Sequence, residues 1–353
     1  MHAVELTVTS ANVERSVALW ADRAAYSPDE LEQVLPVLRR LFARRCAHGT
    51  IISMNGVVRA CGLSAFVHAD VLDAAIVQPM PLLAKRLLLN AATESGTLPF
   101  LDDADIARGN ARDGLHLLIL EANVDTSTGH GDLLLGQLTR AFYRSHDGYR
   151  LVRVVAEYVG PVAVGVARAG EFDIIREFPN IAPGLDVGSA LVVLTPAGAS
   201  ARGNTTIQTF VYEPPQIMFT AREQDLLRCA LDGAPDDIVA GRLATSLSSV
   251  KSRWIRVQQR AMQMAPELFQ AVPLPKQPHQ RGAQTRHLVL EYVRAHRSEL
   301  TPYLRNHAHA APAREAPGRR QLEVESHRDR RLRDAAADVA PRSGTLPETD
   351  AEP

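Results

Sequence analysis

Phe219 to Val257 reads FTAREQDLLRCALDGAPDDIVAGRLATSLSSVKSRWIRV, and its spacing predicts three short helices. Thr220 and Glu223 form a T-x-x-E capping box, which satisfies exposed backbone donors and fixes a helix start. Leu226, Leu227, Ala230 and Leu231 follow at helical spacing, and Asp232-Gly233 is a stop signal. Pro235 suits the first turn of a second helix with Val239, Ala240 and Leu243 inward. Ser246 caps a third helix, on which Val250, Trp254 and Val257 share one apolar stripe. The opposite face carries Ser248, Ser252, Ile255 and Gln259, flanked by Lys251 and Arg256.

A helix with one core face and one basic, polar face, preceded by a tight turn, is what a helix-turn-helix protein offers to the DNA major groove. The segment resembles the LuxR-type helix-turn-helix family. That family's L-T-x-R-E falls on Phe219-Thr220-Ala221-Arg222-Glu223, its central glycine on Gly233, its I-A-x-x-L on Val239 to Leu243, and its S-x-x-T-V-K on Ser246 to Lys251. Ile238 and Arg253 depart from the pattern, where an acidic residue and a histidine are usual. The resemblance implies a sequence-specific transcription factor that binds double-stranded DNA as a homodimer. Its DNA-contacting residues would be Ser248, Ser249, Lys251, Ser252, Arg253, Ile255 and Arg256. On this reading the chain is not an enzyme, and no catalytic residue, cofactor or metal is expected.

Outward from this segment, residues 1–195 alternate strand-like and helix-like runs, the signature of a layered α/β domain. Ser27-Pro28-Asp29-Glu30 is a complete capping box with proline at the first helical position, although Pro36 should kink or divide the helix that follows. Asn55-Gly56 between two apolar runs predicts a hairpin with a type I′ turn. Leu115 to Asn123 is a near-continuous apolar run, as expected of a strand covered on both faces. Small and polar residues at 196–215 suggest a linker, followed by an all-α helix-turn-helix domain at 216–271. A second linker is expected at 272–285, then an amphipathic helix at 286–304 that could help dimerise the protein. Residues 305–353 have few large apolar side chains and read as a disordered tail.

Strand, loop, helix, strand, helix, strand from Leu115 to Glu177 resembles the cofactor-binding half of GNAT acyltransferases. That family's Q/R-x-x-G-x-G/A loop falls on Thr126 to Gly131, so that Gly129 and Gly131 are the implied ligand-binding residues at a helix start. Thr126 replaces the leading basic or amide residue, and the family's Y-x-x-x-G-F falls on Val166, Gly170 and, one residue on, Phe172. The implied fold is GNAT-like layered α/β with altered chemistry, which would sense an unknown signal through an acyl-CoA-like small-molecule effector or serve only for dimerisation. The alternative is a GNAT-like N-acetyltransferase with an appended helical domain. In that case Glu121 could act as base; a solvated or structural carboxylate is the competing reading.

Composition limits the other choices. At 353 residues the chain is long enough for two domains, and 46% hydrophobic content supplies a core. A net charge of −1 means that any nucleic-acid site must be a local patch. Cys46, Cys61 and Cys229 have neither metal-ligand nor paired spacing, which together with the absence of a leader-like start points to a cytoplasmic protein. No run of 18 apolar residues could span a membrane. His307 and His309 and the basic run Arg328 to Arg333 lie in the tail, where solvated side chains are expected.

Overall fold

The computed structural model describes residues 3–20, 26–93, 98–169, 172–182, 186–201, 205–270 and 278–304. The strands are β1 (Ala3–Thr7), β2 (Ala47–Met54), β3 (Val57–Val67), β4 (Leu115–Val124), β5 (Leu151–Val159), β6 (Asp173–Phe178) and β7 (Ser189–Leu194). Before β4 come helices α1 (Glu14–Val17), α2 (Pro28–Ala43), α3 (Ala69–Val77), α4 (Leu83–Thr93) and α5 (Asp103–Ala111). After it come α6 (Gly131–His146), α7 (Pro161–Ala169), α8 (Pro196–Ala201), α9 (Ala221–Leu231), α10 (Asp236–Arg242), α11 (Leu247–Met264), α12 (Glu267–Gln270) and α13 (Pro278–Ala295).

Local chemistry accounts for the boundaries. Ser27 Oγ accepts from Glu30 N while Glu30 Oε2 accepts from Ser27 N, closing the capping box of α2. Asn55 and Gly56 both have positive φ, as a type I′ turn requires, and join β2 to β3. Contrary to the expected break, α2 runs unbroken through Pro36. Its stripe of Val34, Val37, Leu38 and Leu41 is fully buried, and that packing outweighs the hydrogen bond proline removes.

The strands form one mixed sheet in the order β1-β2-β3-β4-β5-β7-β6. Every neighbouring pair is antiparallel except β4 and β5, which run parallel and are connected through α6. One face carries Ile51, Leu63, Leu118, Leu120 and Val155 into the main core beneath α1, α2 and α4. The other face packs Ile52 and Ala60 against Leu134 and Leu138 of α6, and Ala156 and Val192 against Ala167 of α7. Helices on both faces of a mixed sheet make this a layered α/β arrangement.

Residues 196–215, expected as a linker, instead include α8 and a 3-10 segment at Thr205–Phe210. Ala199, Ile207 and Phe210 pack into the core beside Tyr149 and Leu194, which the smallness of the residues permits. Helix α13 begins at Pro278, inside the stretch 272–285 expected to be a linker. Residues 271–277 and the tail 305–353 lie outside the described residues. Nor is α13 a free amphipathic helix: Val289 and Val293 are fully buried with Ile217, Phe219, Val250, Trp254 and Val257, and the Arg286 guanidinium lies 4.1 Å over the Trp254 ring.

Residues 1–304 form one compact unit, within which α9 to α13 pack around their own apolar cluster. Arg45 meets Asp225 of α9 at 2.8 Å, and Asn110 donates to the carbonyl of Pro302 at 3.0 Å. Gly148, just before β5, abuts the backbone at Arg297 and Ser298. The fully buried Glu299 carboxylate accepts the backbone N–H groups of Gln216, Ile217 and Met218, with the Tyr292 hydroxyl at 3.3 Å. Glu299→Ala would strand these donors, and each unpaired buried donor costs about 1–3 kcal/mol. Urea unfolding is therefore expected to show a loss of about 3 kcal/mol; wild-type stability would refute the clamp.

Candidate functional site

Among the described strands the one parallel pair is also an incomplete one. β4 and β5 are paired from Leu115↔Leu151 to Leu118↔Val155 and no further. Beyond that, Ile119 to Val124 stay with β3, while Ala156 to Val159 stay with β7. The two carboxyl ends therefore part and open a wedge in the sheet, at the position where open α/β sheets take their ligands. The resulting cleft holds about 80 Å³ and is lined by Trp20, Tyr26, Lys85, Glu121, Glu157 and Tyr158 among others. That is room for the reacting ends of two substrates, with the rest of each outside.

A bulge decides which way the cleft's carboxylate points. Strict alternation from Leu118 and Leu120 would send Glu121 to the α6 face. The register with β3 slips between Leu63 and Ser64, so that Ser64 opposes Ile119 but Leu63 opposes Glu121. Directly opposed residues share a face, and Leu63 belongs to the α1/α2 core. Glu121 thus turns to the side of Tyr26. Burial pushes the Tyr26 phenol well above its ordinary pKa, and the charges of Glu121 and Glu30 push it further.

Around them the side chains are held in place. Lys85 Nζ bonds Glu30 Oε2 at 2.8 Å and lies 5.2 Å from the centroid of the Tyr26 ring. Trp20 lies 5.2 Å from Tyr26, ring to ring, its indole N–H buried without a partner among the described residues. On Glu30, burial acts to raise the pKa, but hydrogen bonds from Lys85 and Ser27 and the Lys85 charge hold it below the usual value. Glu157 on β5 is fully engaged: it accepts Leu82 N at 2.8 Å, Leu83 N at 2.7 Å and Ser189 Oγ at 2.5 Å. It caps α4 from a distance and ties the helix carrying Lys85 to the edge of the cleft. Burial pushes the Tyr158 phenol up to about 12, so it is a proton donor at neutral pH.

Gly129 and Gly131 are in the turn that leads from β4 into α6. Gly129 has φ +70, and no atom lies within 4 Å of where its side chain would start. His130 occupies the N-cap of α6 without a side-chain cap bond. Asp125, which begins the turn, is neutralised by Arg59 at 2.6 Å and held below the usual carboxylate pKa by bonds from Ser127 and Arg59. The Val166 side chain and Gly170 lie outside the described residues; Phe172 packs edge-on to Tyr158 at 5.7 Å.

The residues expected to contact DNA are elsewhere. Ser248, Lys251, Ser252, Ile255 and Arg256 are exposed on α11, and Ser249 and Arg253 are partly buried there. Val250, Trp254 and Val257 are buried on its other face. None of them reaches the cleft. A larger, shallow depression of about 480 Å³ lies on the outer side of α6 at Leu135, Gly136 and Tyr143, with the side chains of one helix alone. Among the described residues no group of three or more His, Cys, Asp or Glu could hold a metal, and no helix is long and apolar enough to cross a membrane.

Sequence reasoning missed Trp20, Tyr26, Lys85 and Glu157 because they come from three distant segments: the stretch before α2, α4 and β5. One signal was there: Lys85 is one of only three lysines, with Lys251 and Lys276, among 39 Lys and Arg residues.

No family model and no curated protein matches the chain. Solved structures similar to it include an N-acetyltransferase from Staphylococcus aureus (14% identity, 55% of this chain and 99% of that one, TM-score 0.33). The Drosophila melanogaster polyamine N-acetyltransferase, which forms N-acetylagmatine, is 14% identical over 55% of this chain and 100% of its own, with a TM-score of 0.33. Arabidopsis thaliana NAA60 in complex with acetyl-CoA is 12% identical over 55% and 99%, with a TM-score of 0.32. These findings correct the expectation of a LuxR-type, DNA-binding transcription regulator without enzymatic activity: the similar structures include acetyltransferases, and no finding supports DNA as the partner. They agree with the GNAT-like reading of the first half of the chain.

Proposed function

We propose that the chain is an acyltransferase of GNAT-like fold that moves an acyl group from acyl-CoA to an amine. The observation that carries this reading is the wedge between β4 and β5, with a carboxylate and a high-pKa phenol on its two walls. A thioester lying in the wedge can pair its carbonyl with backbone N–H groups beyond Leu118 and Val155, where β4 and β5 are no longer paired with each other. Glu121 takes one proton from the incoming ammonium, the Tyr158 hydroxyl protonates the departing sulfur, and the second nitrogen proton restores the tyrosine through water. The C–N bond forms as the C–S bond breaks, leaving an amide and a free thiol.

The turn at the start of α6 suits the pyrophosphate of the coenzyme. Gly129 and Gly131 leave its backbone open to close approach, and the helix N-terminus favours an anion. Asp132 in the first turn opposes that anion, while Arg59 removes the charge of Asp125. A cytoplasmic setting belongs to the same proposal, as do the boundaries of any functional domains.

Calorimetric titration of the full chain with acetyl-CoA is the test. Saturable binding is expected, weakened at least tenfold in Gly131→Asp, where a carboxylate would enter the phosphate turn. Absence of both heat and thermal shift would overturn the proposal.

A further inference from the structure

Resting on the acyltransferase reading, we propose that the chain carries its own acyl acceptor: Lys85 is a site of self-acylation. Three observations lead there. First, Lys85 lines the cleft itself, with Tyr26, Glu121 and Tyr158. Second, its ammonium is already treated as a substrate ammonium would be, over an aromatic face and against a carboxylate, Glu30, at 2.8 Å. The Glu157 cap on Leu82 and Leu83 fixes the start of α4, so Lys85 is held two residues from an anchor on β5.

Third, the residue is a lysine in a chain that almost always uses arginine: three lysines among 39 cationic residues. For an ion pair with Glu30, or for stacking on Tyr26, a guanidinium serves at least as well. What arginine cannot do is lose a proton and attack a carbonyl, whereas an amine can.

The step balances as follows. The Lys85 ammonium gives one proton to Glu30, which passes it to solvent. The neutral Nζ attacks the thioester carbonyl, a C–N bond forms and the C–S bond breaks. The second nitrogen proton leaves through the cleft carboxylates, and sulfur departs as a thiolate that takes the Tyr158 proton and is restored from water. The products are an acylated lysine, free coenzyme A and one net proton. The amide has no charge, so acylation also dissolves the ion pair with Glu30.

The test is mass spectrometry of the full-length protein incubated with acetyl-CoA, with peptide mapping over time. Lys251, exposed on α11, reports uncatalysed acetylation within the same molecule. The expected result is one acetyl group on Lys85, at least tenfold faster than on Lys251, with a rate that saturates in acetyl-CoA. Lys85→Arg should take up no acetyl group in that peptide, and Tyr158→Phe should slow the labelling of Lys85 but not of Lys251. Binding of acetyl-CoA without preferential labelling of Lys85, or labelling that rises linearly and equally at both lysines, would overturn self-acylation alone. Failure of acetyl-CoA to bind would overturn the acyltransferase reading together with it.

Discussion

Glu121→Gln is expected to lower the rate of acyl transfer by about 10²–10⁴-fold, the usual contribution of a positioned general base, while acetyl-CoA affinity stays as in the wild type. The split follows from the geometry. The bulge in β4 turns Glu121 to the side of Tyr26 and Lys85, away from the glycine turn that enters α6 on the opposite side of the strand's end. Glutamine keeps the size and the hydrogen-bonding oxygen but cannot accept the proton. Thiol release from acetyl-CoA, measured with a panel of primary amines, reads the rate, and calorimetry reads the affinity. Equal loss of both would show that Glu121 shapes the cleft and moves no proton. Tyr158 gives the companion pH result. With its pKa held up to about 12, the acid form persists across the neutral range, and rate should fall only as pH rises towards that value. Tyr158→Phe should be slower throughout and lose that alkaline limb.

Gly148→Ala is the largest expected loss of stability, more than about 3 kcal/mol in urea unfolding. Two costs combine. Gly148 has φ +88, a left-handed conformation that costs an L-residue about 1–2 kcal/mol. A methyl group there would lie 2.2 Å from Ser298 N and 2.4 Å from the carbonyl carbon of Arg297, and neither backbone atom can swing away. Gly56→Ala separates the two costs, since Gly56 has φ +80 with nothing within 4 Å of the added carbon. It should lose only about 1 kcal/mol. If the two variants were equally stable, the close approach of residues 297–298 to the start of β5 would be wrong.

Much of the local structure was legible from residue chemistry. The capping boxes at Ser27 and Thr220, the Asn55-Gly56 turn and the buried stripe of Val250, Trp254 and Val257 all follow from short-range spacing. What was not legible depends on long-range register. The slip that opposes Leu63 to Glu121 leaves no mark on either strand's own pattern, and Lys85 reaches the cleft only because α4 lies on α2 and β4. The α9–α11 segment teaches the converse. A helix with one apolar and one polar face is what any surface helix must be, so its pattern fixes burial and leaves function open. The segment 196–215 misled in another way: small residues suggested a tether, and the protein used their smallness to pack Ala199 into the core.

The bulge in β4 bears on how this chain can change over generations. Substitutions in Ile119 to Val124 alter one side chain at a time, but losing a residue after Glu121, with the pairing shifted one step to close the bulge, would put Glu121 opposite Gly62 and move the cleft's carboxylate through the sheet to the α6 side. Variation among descendants should therefore appear in this stretch as exchanges of residue type, while its length stays constant.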